Sequence, residues 1–216
     1  MMAKKCELQF AVLGLGRFGM SIVKTLAEYD ANILACDKDA AHLHEATEYA
    51  AHVVQADAAD EDAMRKLGLG NFDVVVLAMG EDFEATIMAA MLAKELGAGK
   101  VVAKAFGFRQ KKILESIGVD KVVVPEVEMG VKVARNLVNP NVLDVLEQSG
   151  GQTITEMLPQ SDWVGKTIRQ ADIRRKHGYT VLAILRGNKT IPVTIDTVIE
   201  ENDILVAMNA EGAQQA

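Results

Sequence analysis

Three glycines between an apolar segment and a helix-like segment constrain the fold of this chain most. Gly14, Gly16 and Gly19 form a G-x-G-x-x-G motif directly after the apolar residues 10–13. In a strand–loop–helix unit, the first glycine permits a tight turn, the second lets a phosphate approach the backbone, and the third lets the helix pack on the strand. The motif alone is weak evidence, but this context predicts a loop that binds phosphate at the positive end of a helix.

An acidic residue supports the same interpretation. Asp37 ends the second apolar segment, 33–36, and follows Gly16 by 21 residues. A carboxylate there accepts hydrogen bonds from ribose hydroxyls and repels a 2′-phosphate, which disfavours NADP. In the alternative, the glycines only make a turn and Asp37 only begins a loop. The combination of strand, loop, helix and acid favours an adenine-nucleotide site.

Short apolar segments alternate with helical patterns over the first 140 residues. The pattern predicts strands at 10–13, 33–36, 53–54, 74–77, 101–104 and 122–124, and helices near 18–29, 40–49, 60–67, up to 96, 109–117 and 129–138. Continuous apolar strands separated by helices indicate a parallel sheet that is covered on both faces. We therefore expect an α/β fold, with a Rossmann-type doubly wound parallel sheet over 1–140.

The pattern changes after Ser149, Gly150 and Gly151, which give the best linker signal in the chain. We place a linker at 141–150 and a second, smaller α+β domain at 151–216. Its predicted elements are strands at 153–158, 181–185, 190–191 and 203–208, a hairpin turn at 186–189 and a helix at 167–176.

Composition excludes several classes of protein. The net charge is −7 without a basic stripe, which argues against nucleic-acid binding and against attraction to an anionic membrane surface. The longest apolar run, 74–79, is far shorter than the ~20 residues of a membrane-spanning helix. Cys6 and Cys36 cannot form a disulfide framework or a zinc site, so we expect a reducing cytosol.

Other candidate ligand-binding residues follow the predicted strands. Ligands of such sheets lie beyond the carboxyl ends of the strands. Asp57, the pair Met79 and Gly80, Lys104 and Glu126 each end or follow a strand. Lys104 suits a phosphate and Asp57 suits a ribose or adenine, although both also fit as ordinary solvated loop charges. Glu126 fits equally as a carboxylate at the start of a helix.

Residues for catalysis are not evident in the sequence. There is no G-x-S-x-G motif and no Walker-type G-K-[ST], and none of Tyr29, Tyr49 and Tyr179 has a lysine four positions later. We therefore predict a nucleotide sensor and not an enzyme. The rival interpretations are an NAD-dependent oxidoreductase with unrecognised catalytic residues and a redox-sensing DNA regulator, which would need a basic helix-turn-helix.

Several segments in order carry a family resemblance. They are 11–19, 56–58, 67–73, 92–97, 102–105, 114–120 and 125–126, followed by 172–174 and 176–184. The first group resembles the RCK (KTN, TrkA-N) domain of bacterial Trk and Ktr potassium transport systems, and the second resembles the RCK-C (TrkA-C) module. The Ktr cytosolic ring subunits are the most similar, and the resemblance covers nearly the whole chain.

The resemblance implies a cytoplasmic regulatory subunit at the inner face of the membrane. Such subunits form homodimers that assemble into an octameric ring on an integral-membrane potassium transporter subunit. It implies no contact with nucleic acid and no insertion into the membrane. Regulation of a potassium channel or exchanger is the alternative, because the partner is a separate chain.

The resemblance also assigns ligands. ATP or ADP, with NAD(H) as the alternative, would bind at Gly14, Leu15, Gly16, Arg17, Phe18, Gly19, Asp37, Lys38, Asp57, Ala58, Met79, Gly80, Lys104 and Glu126. Arg17 would reach a terminal phosphate across the dimer, and Glu126 would approach Mg²⁺ or Ca²⁺ at that phosphate. In the C-terminal module, Ile173 and Arg174 match a cyclic di-AMP site, but Arg175 stands where relatives often have alanine.

Overall fold

The computed structural model describes residues 6–79, 82–138, 141–147 and 153–209. The chain divides into two compact units, Met1–Val127 and Glu128–Ala216. Within the described ranges no helix combines the length and the apolar character that crossing a membrane requires.

The first unit contains a six-stranded sheet in which every pair of neighbours is parallel. Its strands in chain order are β1 (Gln9–Leu13), β2 (Asn32–Asp37), β3 (His52–Gln55), β4 (Val74–Leu77), β5 (Lys100–Lys104) and β6 (Lys121–Val123). The spatial order is β3-β2-β1-β4-β5-β6. The order reverses between β1 and β4, and a crevice for a ligand opens at such a point.

Helices cover both faces of this sheet. They are α1 (Arg17–Glu28), α2 (Ala40–Ala46), α3 (Glu61–Leu67), α4 (Phe83–Glu95) and α5 (Phe108–Ser116), with a 3₁₀ turn at Leu69–Asn71. A sixth helix, α6 (Pro125–Val138), begins in this unit and continues into the second, and none of its described residues is buried. Val12 packs in one apolar core with Val23 of α1, whereas Leu13 packs in the other with Leu92 of α4. Because successive strand residues point to opposite faces, β1 is buried on both sides. The predicted Rossmann-type doubly wound sheet is confirmed.

Aspartates fix where three of these helices begin. Asp39, Asp60 and Asp82 accept hydrogen bonds from backbone N–H groups in the first turns of α2, α3 and α4. Helix α1 differs, because the residue at its N-cap is Gly16 and no side chain caps it. Its first N–H groups are therefore left for another partner.

The second unit contains a five-stranded antiparallel sheet and two short helices. The strands are β7 (Val142–Glu147), β8 (Thr153–Met157), β9 (Tyr179–Arg186), β10 (Lys189–Pro192) and β11 (Ile204–Asn209), and the helices are α7 (Ile168–Ala171) and α8 (Ile173–His177). The strands lie in the sheet in the order β10-β9-β11-β8-β7. Trp163, Ile173, Ile184 and Leu205 lie in its buried core. The predicted smaller α+β fold is confirmed.

The element bounds differ from the sequence-based expectations at three places. The first six residues after Asn141, within the predicted linker at 141–150, form β7 and pair with β8; 148–150 lie outside the described residues. One helix was predicted at 167–176, but Asp172 adopts a left-handed backbone (φ 50°) that separates α7 from α8. Helix α6 begins at Pro125 and not near 129. The domain limits themselves stay a prediction.

A buried ion pair joins β9 to the segment before β11. The side chain of Asp203 is fully buried, and its carboxylate accepts hydrogen bonds from Arg186 Nε at 2.7 Å and Nη2 at 2.9 Å. The Glu200 N–H donates to the same carboxylate at 2.8 Å. Burial raises the pKa of Asp203, but the Arg186 guanidinium and the Glu200 N–H outweigh it, and the net pKa is lowered.

We predict that Asp203→Ala destabilises the second unit by about 1–3 kcal/mol, because Arg186 keeps Glu200 but loses its buried partner, and the Glu200 N–H loses its acceptor. Unfolding of the full chain in urea can be followed by the fluorescence of Trp163, the single tryptophan, which is buried in this unit. Asp196→Ala is the control, since Asp196 is 79% exposed and lies 3.7 Å from Arg169. It should cost under about 0.5 kcal/mol.

The lowered pKa also gives the direction of a pH effect. A carboxylate with a lowered pKa stabilises the folded state above its unfolded pKa of about 3.9, and this stability is lost as the pH falls through the folded-state value. The difference in stability between wild type and Asp203→Ala should therefore shrink below about pH 4. A difference that is unchanged down to pH 3 would contradict the assignment of the ion pair.

Candidate functional site

A cavity of about 650 Å³ lies at the carboxyl ends of the strands of the first unit. Eleven of the residues predicted for the ligand site line it. They are Gly14, Gly16, Arg17, Phe18, Asp37, Lys38, Asp57, Ala58, Met79, Lys104 and Glu126. The cavity is therefore built by residues from the ends of β1, β2 and β5 and from the segments that follow β3, β4 and β6.

The remaining predicted residues have other positions. Leu15 is buried at 2% exposure, and Gly19 is buried where α1 meets the loop. Gly80 lies outside the residues that the structure describes. Leu15 and Gly19 therefore shape the loop and do not line the cavity.

The three motif glycines are required for three different reasons. Gly14 has φ +89°, and a Cβ there would lie 2.7 Å from the Met79 backbone nitrogen. A Cβ on Gly19 would lie 1.9 Å from the Gly14 carbonyl oxygen, so α1 could not approach the loop. A Cβ on Gly16 would meet nothing within 4 Å. Gly16 thus faces open space, where a ligand can come close to the backbone.

The N-terminus of α1 supplies a site for an anion. Gly16 is its N-cap, no side chain caps the helix, and Gly16, Arg17 and Phe18 all line the cavity. The first N–H groups of a helix have no partner within the helix, and the helix dipole places partial positive charge there. Twelve residues of helix lie behind this site, so it suits phosphate oxygens.

Asp37 holds the loop in place. Its carboxylate, 10% exposed, accepts hydrogen bonds from the Leu15 N–H at 2.6 Å and the Asp39 N–H at 2.8 Å, and it contacts His42 Nδ1 at 3.1 Å. Burial raises the pKa of Asp37, but the two N–H donors and His42 outweigh it and lower the net pKa. Asp37 is therefore ionised at neutral pH and ties β2 to the glycine loop.

Lys104 is less exposed than Arg17 and Lys38, which also line the cavity. Its side chain is only 12% exposed, and Nζ donates to Glu126 Oε1 at 2.7 Å. Nζ also lies 5.8 Å from the centre of the Phe18 ring and 5.0 Å from that of Phe106. The hydrogen bond from Lys104 is the main cause that lowers the pKa of Glu126. Glu126, 57% exposed, is thus an ionised partner at the rim.

Two further predicted residues of the cavity, Asp57 and Lys38, make fewer contacts. Asp57 is exposed and accepts from the Ala59 N–H at 3.0 Å. Lys38 is exposed, and Gln55 Nε2 donates to its carbonyl oxygen at 3.0 Å. Both could contact a ligand without rearrangement of the fold, although a solvated loop charge remains an equally good description of Asp57.

Sequence reasoning missed several residues that line the cavity. They are Leu13, Cys36, His42, Ala56, Ala78, Asp82, Ala85, Phe106 and Pro125. His42 could have been predicted, because it follows Asp37 closely and lies in the first turn of the helix that Asp39 caps. Cys36 immediately precedes Asp37, and burial raises the pKa of its thiol to about 11. The aromatic side chain of Phe106 had no signal, since its contact with Lys104 depends on the loop after β5.

The residues predicted for a second ligand lie in the second unit. The side chain of Ile173 is 2% exposed and packs in the core with Trp163, whereas Arg174 is exposed. Only Arg174 of the two therefore presents a side chain to solvent.

A metal site is not formed by this chain alone within the described ranges. No group of three His, Cys, Asp or Glu side chains gathers there in a way that could hold a metal ion. Glu126 is thus a single carboxylate, already bound to Lys104.

Comparison with known proteins agrees with the fold. Residues 10–125 match the TrkA-N domain family, and residues 155–216 match the TrkA-C domain family. This chain belongs to the family of proteins that carry these two domains. The TrkA-N match runs from β1 to Pro125 and so contains almost the whole lining of the cavity.

Two relatives in this family are potassium uptake proteins of Bacillus subtilis (strain 168). The Ktr system potassium uptake protein C is 40% identical over 203 residues, covering 94% of this chain and 92% of that protein. The Ktr system potassium uptake protein A is 37% identical over 201 residues, covering 93% and 90%. This TrkA-N/TrkA-C chain is therefore similar to the Ktr proteins over almost its full length.

A solved structure shares the fold at low identity. The GsuK channel bound to NAD has a TM-score of 0.68 and 13% sequence identity. The match covers 96% of this chain but only 38% of the channel chain. At this identity the likeness concerns the architecture alone.

The contrast between two motif glycines gives a prediction. Gly16→Ala should cost under about 1 kcal/mol of folding stability, because its Cβ enters open space. Gly19→Ala should cost more than about 3 kcal/mol, because the same methyl group would overlap the Gly14 carbonyl oxygen. Urea unfolding of both variants, followed by circular dichroism, measures the difference. Equal losses of stability would show that the loop geometry is wrong.

Proposed function

We propose that this protein is a cytosolic nucleotide-sensing regulatory subunit that gates a potassium uptake transporter. The observation that carries the proposal is the cavity in which an uncapped helix end, an open Gly16 and the Asp37 carboxylate meet. The 40% identity to a potassium uptake protein supports the choice of transport system.

We assign the parts of the ligand from the charges around the cavity. Phosphate groups would accept from the N–H groups of the first turn of α1 and from Lys104. The ribose would lie at Asp37, which still has acceptor capacity beyond its three present contacts. The adenine would extend towards Asp57 and Lys38, both at the exposed end of the cavity.

ATP and ADP are the proposed ligands, with NAD(H) as the alternative. A GsuK channel with the same fold has been solved with NAD bound, which keeps the dinucleotide among the candidates. Asp37 argues against NADP in either case, because its negative charge would face the 2′-phosphate. The helix end and Lys104 favour ligands that carry at least two phosphates.

Binding without turnover is the proposed mode of action. Asp37 is engaged by two N–H groups and His42, and Lys104 is paired with Glu126. The thiol of Cys36, with a pKa of about 11, is protonated at neutral pH. These cavity residues hold charges in place and leave no obvious base or nucleophile, so an oxidoreductase is the weaker alternative.

Regulation of a membrane partner requires subunit interfaces, and we propose a homodimer that assembles into an octameric ring on an integral-membrane potassium transporter subunit. Helix α6 supports this, because its exposed side chains include many apolar ones. They are Met129, Val131, Val133, Leu137 and Val138. Exposed apolar surface of this kind marks interaction sites. Arg17, exposed at the start of α1, could then reach a phosphate of the neighbouring subunit. A potassium channel or exchanger is the alternative partner.

The proposed ligand assignment is tested by calorimetric titration of the full chain with ATP, ADP, NADH and cyclic di-AMP at fixed salt. We expect ATP and ADP to bind at micromolar concentrations, and Gly16→Val to weaken both more than about tenfold, because its side chain enters the phosphate site. Lys121→Gln, at the exposed end of β6 and outside the cavity lining, is the control and should bind both nucleotides as wild type does. Unchanged nucleotide affinity in a folded Gly16→Val variant would remove the proposed pocket.

Cyclic di-AMP binding at the second unit stays a prediction. Since Ile173 is buried, Arg174 would carry the contact. Heat of binding that persists in Arg174→Ala would place any cyclic dinucleotide elsewhere.

A divalent cation is proposed at the terminal phosphate, with Glu126 as its ligand from this chain. Glu126 alone cannot hold it, so phosphate oxygens and a second copy of Glu126 would complete the site with hard oxygen ligands. We expect Mg²⁺ or Ca²⁺ to tighten ATP about tenfold more than ADP, because ADP lacks the third phosphate. Glu126→Gln should remove most of this difference, and Glu84→Gln should retain it. The same metal dependence in both variants would show that Glu126 is only a helix-start carboxylate.

A further inference from the structure

Lys104 Nζ donates to Glu126 and lies near the rings of Phe18 and Phe106. In a phosphate site, the anion bound to this lysine would instead be a phosphate. We infer that Glu126 competes with the phosphate of a ligand for Lys104, so that the Lys104–Glu126 ion pair lowers the affinity of the cavity for phosphorylated ligands. This inference rests on the proposed function and adds to it the residue pair that sets the affinity.

The amine of Lys104 needs an anion where it lies. Its side chain is 12% exposed and sits beside the rings of Phe18 and Phe106, so water has limited access to it. A partly buried ammonium group without an anionic partner is costly. Glu126 Oε1, at 2.7 Å, supplies that partner. A phosphate that binds Lys104 must therefore share the amine with Glu126 or displace that carboxylate.

Glu126 is the half of the pair that can leave. Its side chain is 57% exposed, and it is the second residue of α6, so its carboxylate can turn to solvent without loss of buried contacts. Lys104 cannot turn away as easily, because it ends β5 inside the sheet and its stem is covered. A phosphate at the end of α1 would thus take over a fixed cation while the exposed carboxylate moves.

The position of Phe18 connects the two halves of the site. Phe18 lies in the first turn of α1, beside the proposed phosphate position, and its ring is 5.8 Å from Lys104 Nζ. The amine is therefore directed towards the same part of the cavity as the helix end. Arg17, in the same turn, also contributes to lowering the pKa of Glu126, although less than Lys104 does. A released Glu126 would still have a cation nearby.

Competition for Lys104 and a simple ligand-binding role of Glu126 predict opposite effects of Glu126→Gln on the affinity for phosphorylated ligands. If Glu126 only bound ligand or metal, its loss without a metal would weaken binding or leave it unchanged, apart from the relief of charge repulsion that the control below measures. If it competes for Lys104, Glu126→Gln should tighten phosphorylated ligands in buffer that contains EDTA. Adenosine, which has no phosphate, should be insensitive to the same change.

The test is a double-mutant cycle on the full chain, with ADP and adenosine titrated by calorimetry in EDTA. The proteins are wild type, Glu126→Gln, Lys104→Met and the double variant, and circular dichroism checks that each is folded. We expect Glu126→Gln to tighten ADP about fivefold to tenfold and to change adenosine less than about twofold. Lys104→Met should weaken ADP about tenfold, and in that background Glu126→Gln should change ADP less than about twofold.

A charge control separates competition from simple repulsion. Glu84 is exposed in the first turn of α4 and does not line the cavity, so Glu84→Gln removes one negative charge without touching Lys104. It should change ADP affinity less than about twofold. Tightening of equal size in Glu84→Gln, or tightening by Glu126→Gln that persists beside Lys104→Met, would overturn the inference.

The outcomes also separate the inference from the proposed function. Wild type that binds ADP, with Glu126→Gln equal or weaker, overturns the competition and leaves nucleotide sensing intact. ADP binding that is detected only in Glu126→Gln supports the competition. A folded wild type and a folded Glu126→Gln that both fail to bind ADP overturn the inference together with the nucleotide assignment.

Discussion

The glycine loop between β1 and α1 is held from two directions, and the whole cavity depends on this. In the first contact, Gly19 packs so closely that its Cα hydrogens lie against the Gly14 carbonyl oxygen. In the second, the Asp37 carboxylate accepts a hydrogen bond from the Leu15 N–H. The loop is thereby fixed on β2 and on its own helix, while Gly16 remains free on the open side. The proposed phosphate site therefore has its shape without a ligand, so little ordering entropy would be lost on binding.

Two charges on opposite sides of the cavity have different degrees of freedom. Asp37 is buried and engaged by three groups of the protein, so its position is fixed. Glu126 is exposed and pairs with Lys104, while its own backbone N–H and Arg17 add further favourable interactions. A ligand can therefore add to the contacts of Asp37, whereas a phosphate at Lys104 would share or displace its contact with Glu126. This difference makes the Lys104–Glu126 side of the cavity the part that can respond to what is bound.

The position of Glu126 along the chain is also relevant to such a response. Glu126 lies in the first turn of α6, and the division between the two compact units falls within the same turn, after Val127. Glu126 therefore lies where the chain passes from the first compact unit to the second. The second unit has its own core around Trp163 and its own buried ion pair between Arg186 and Asp203.

The sequence by itself determined the parallel sheet, the glycine loop and the placement of Asp37, because each depends on residues close together in the chain. Apolar runs and glycine spacing report local backbone geometry, and parallel strands bring their carboxyl ends to one edge. Family resemblance supplied the roles of Arg17 and Glu126, which no local pattern encodes.

Tertiary structure decided which groups meet. Lys104 and Glu126 are 22 positions apart and pair only because β5 lies beside β6, which leads into α6. Leu15 serves through its N–H and not its side chain, because that N–H faces Asp37 across the β1–β2 contact. Ile173 is buried because the left-handed backbone at Asp172 turns α8 onto the core. Contacts of this kind arise from strand order and packing, and the spacing of residue types along a chain does not contain them.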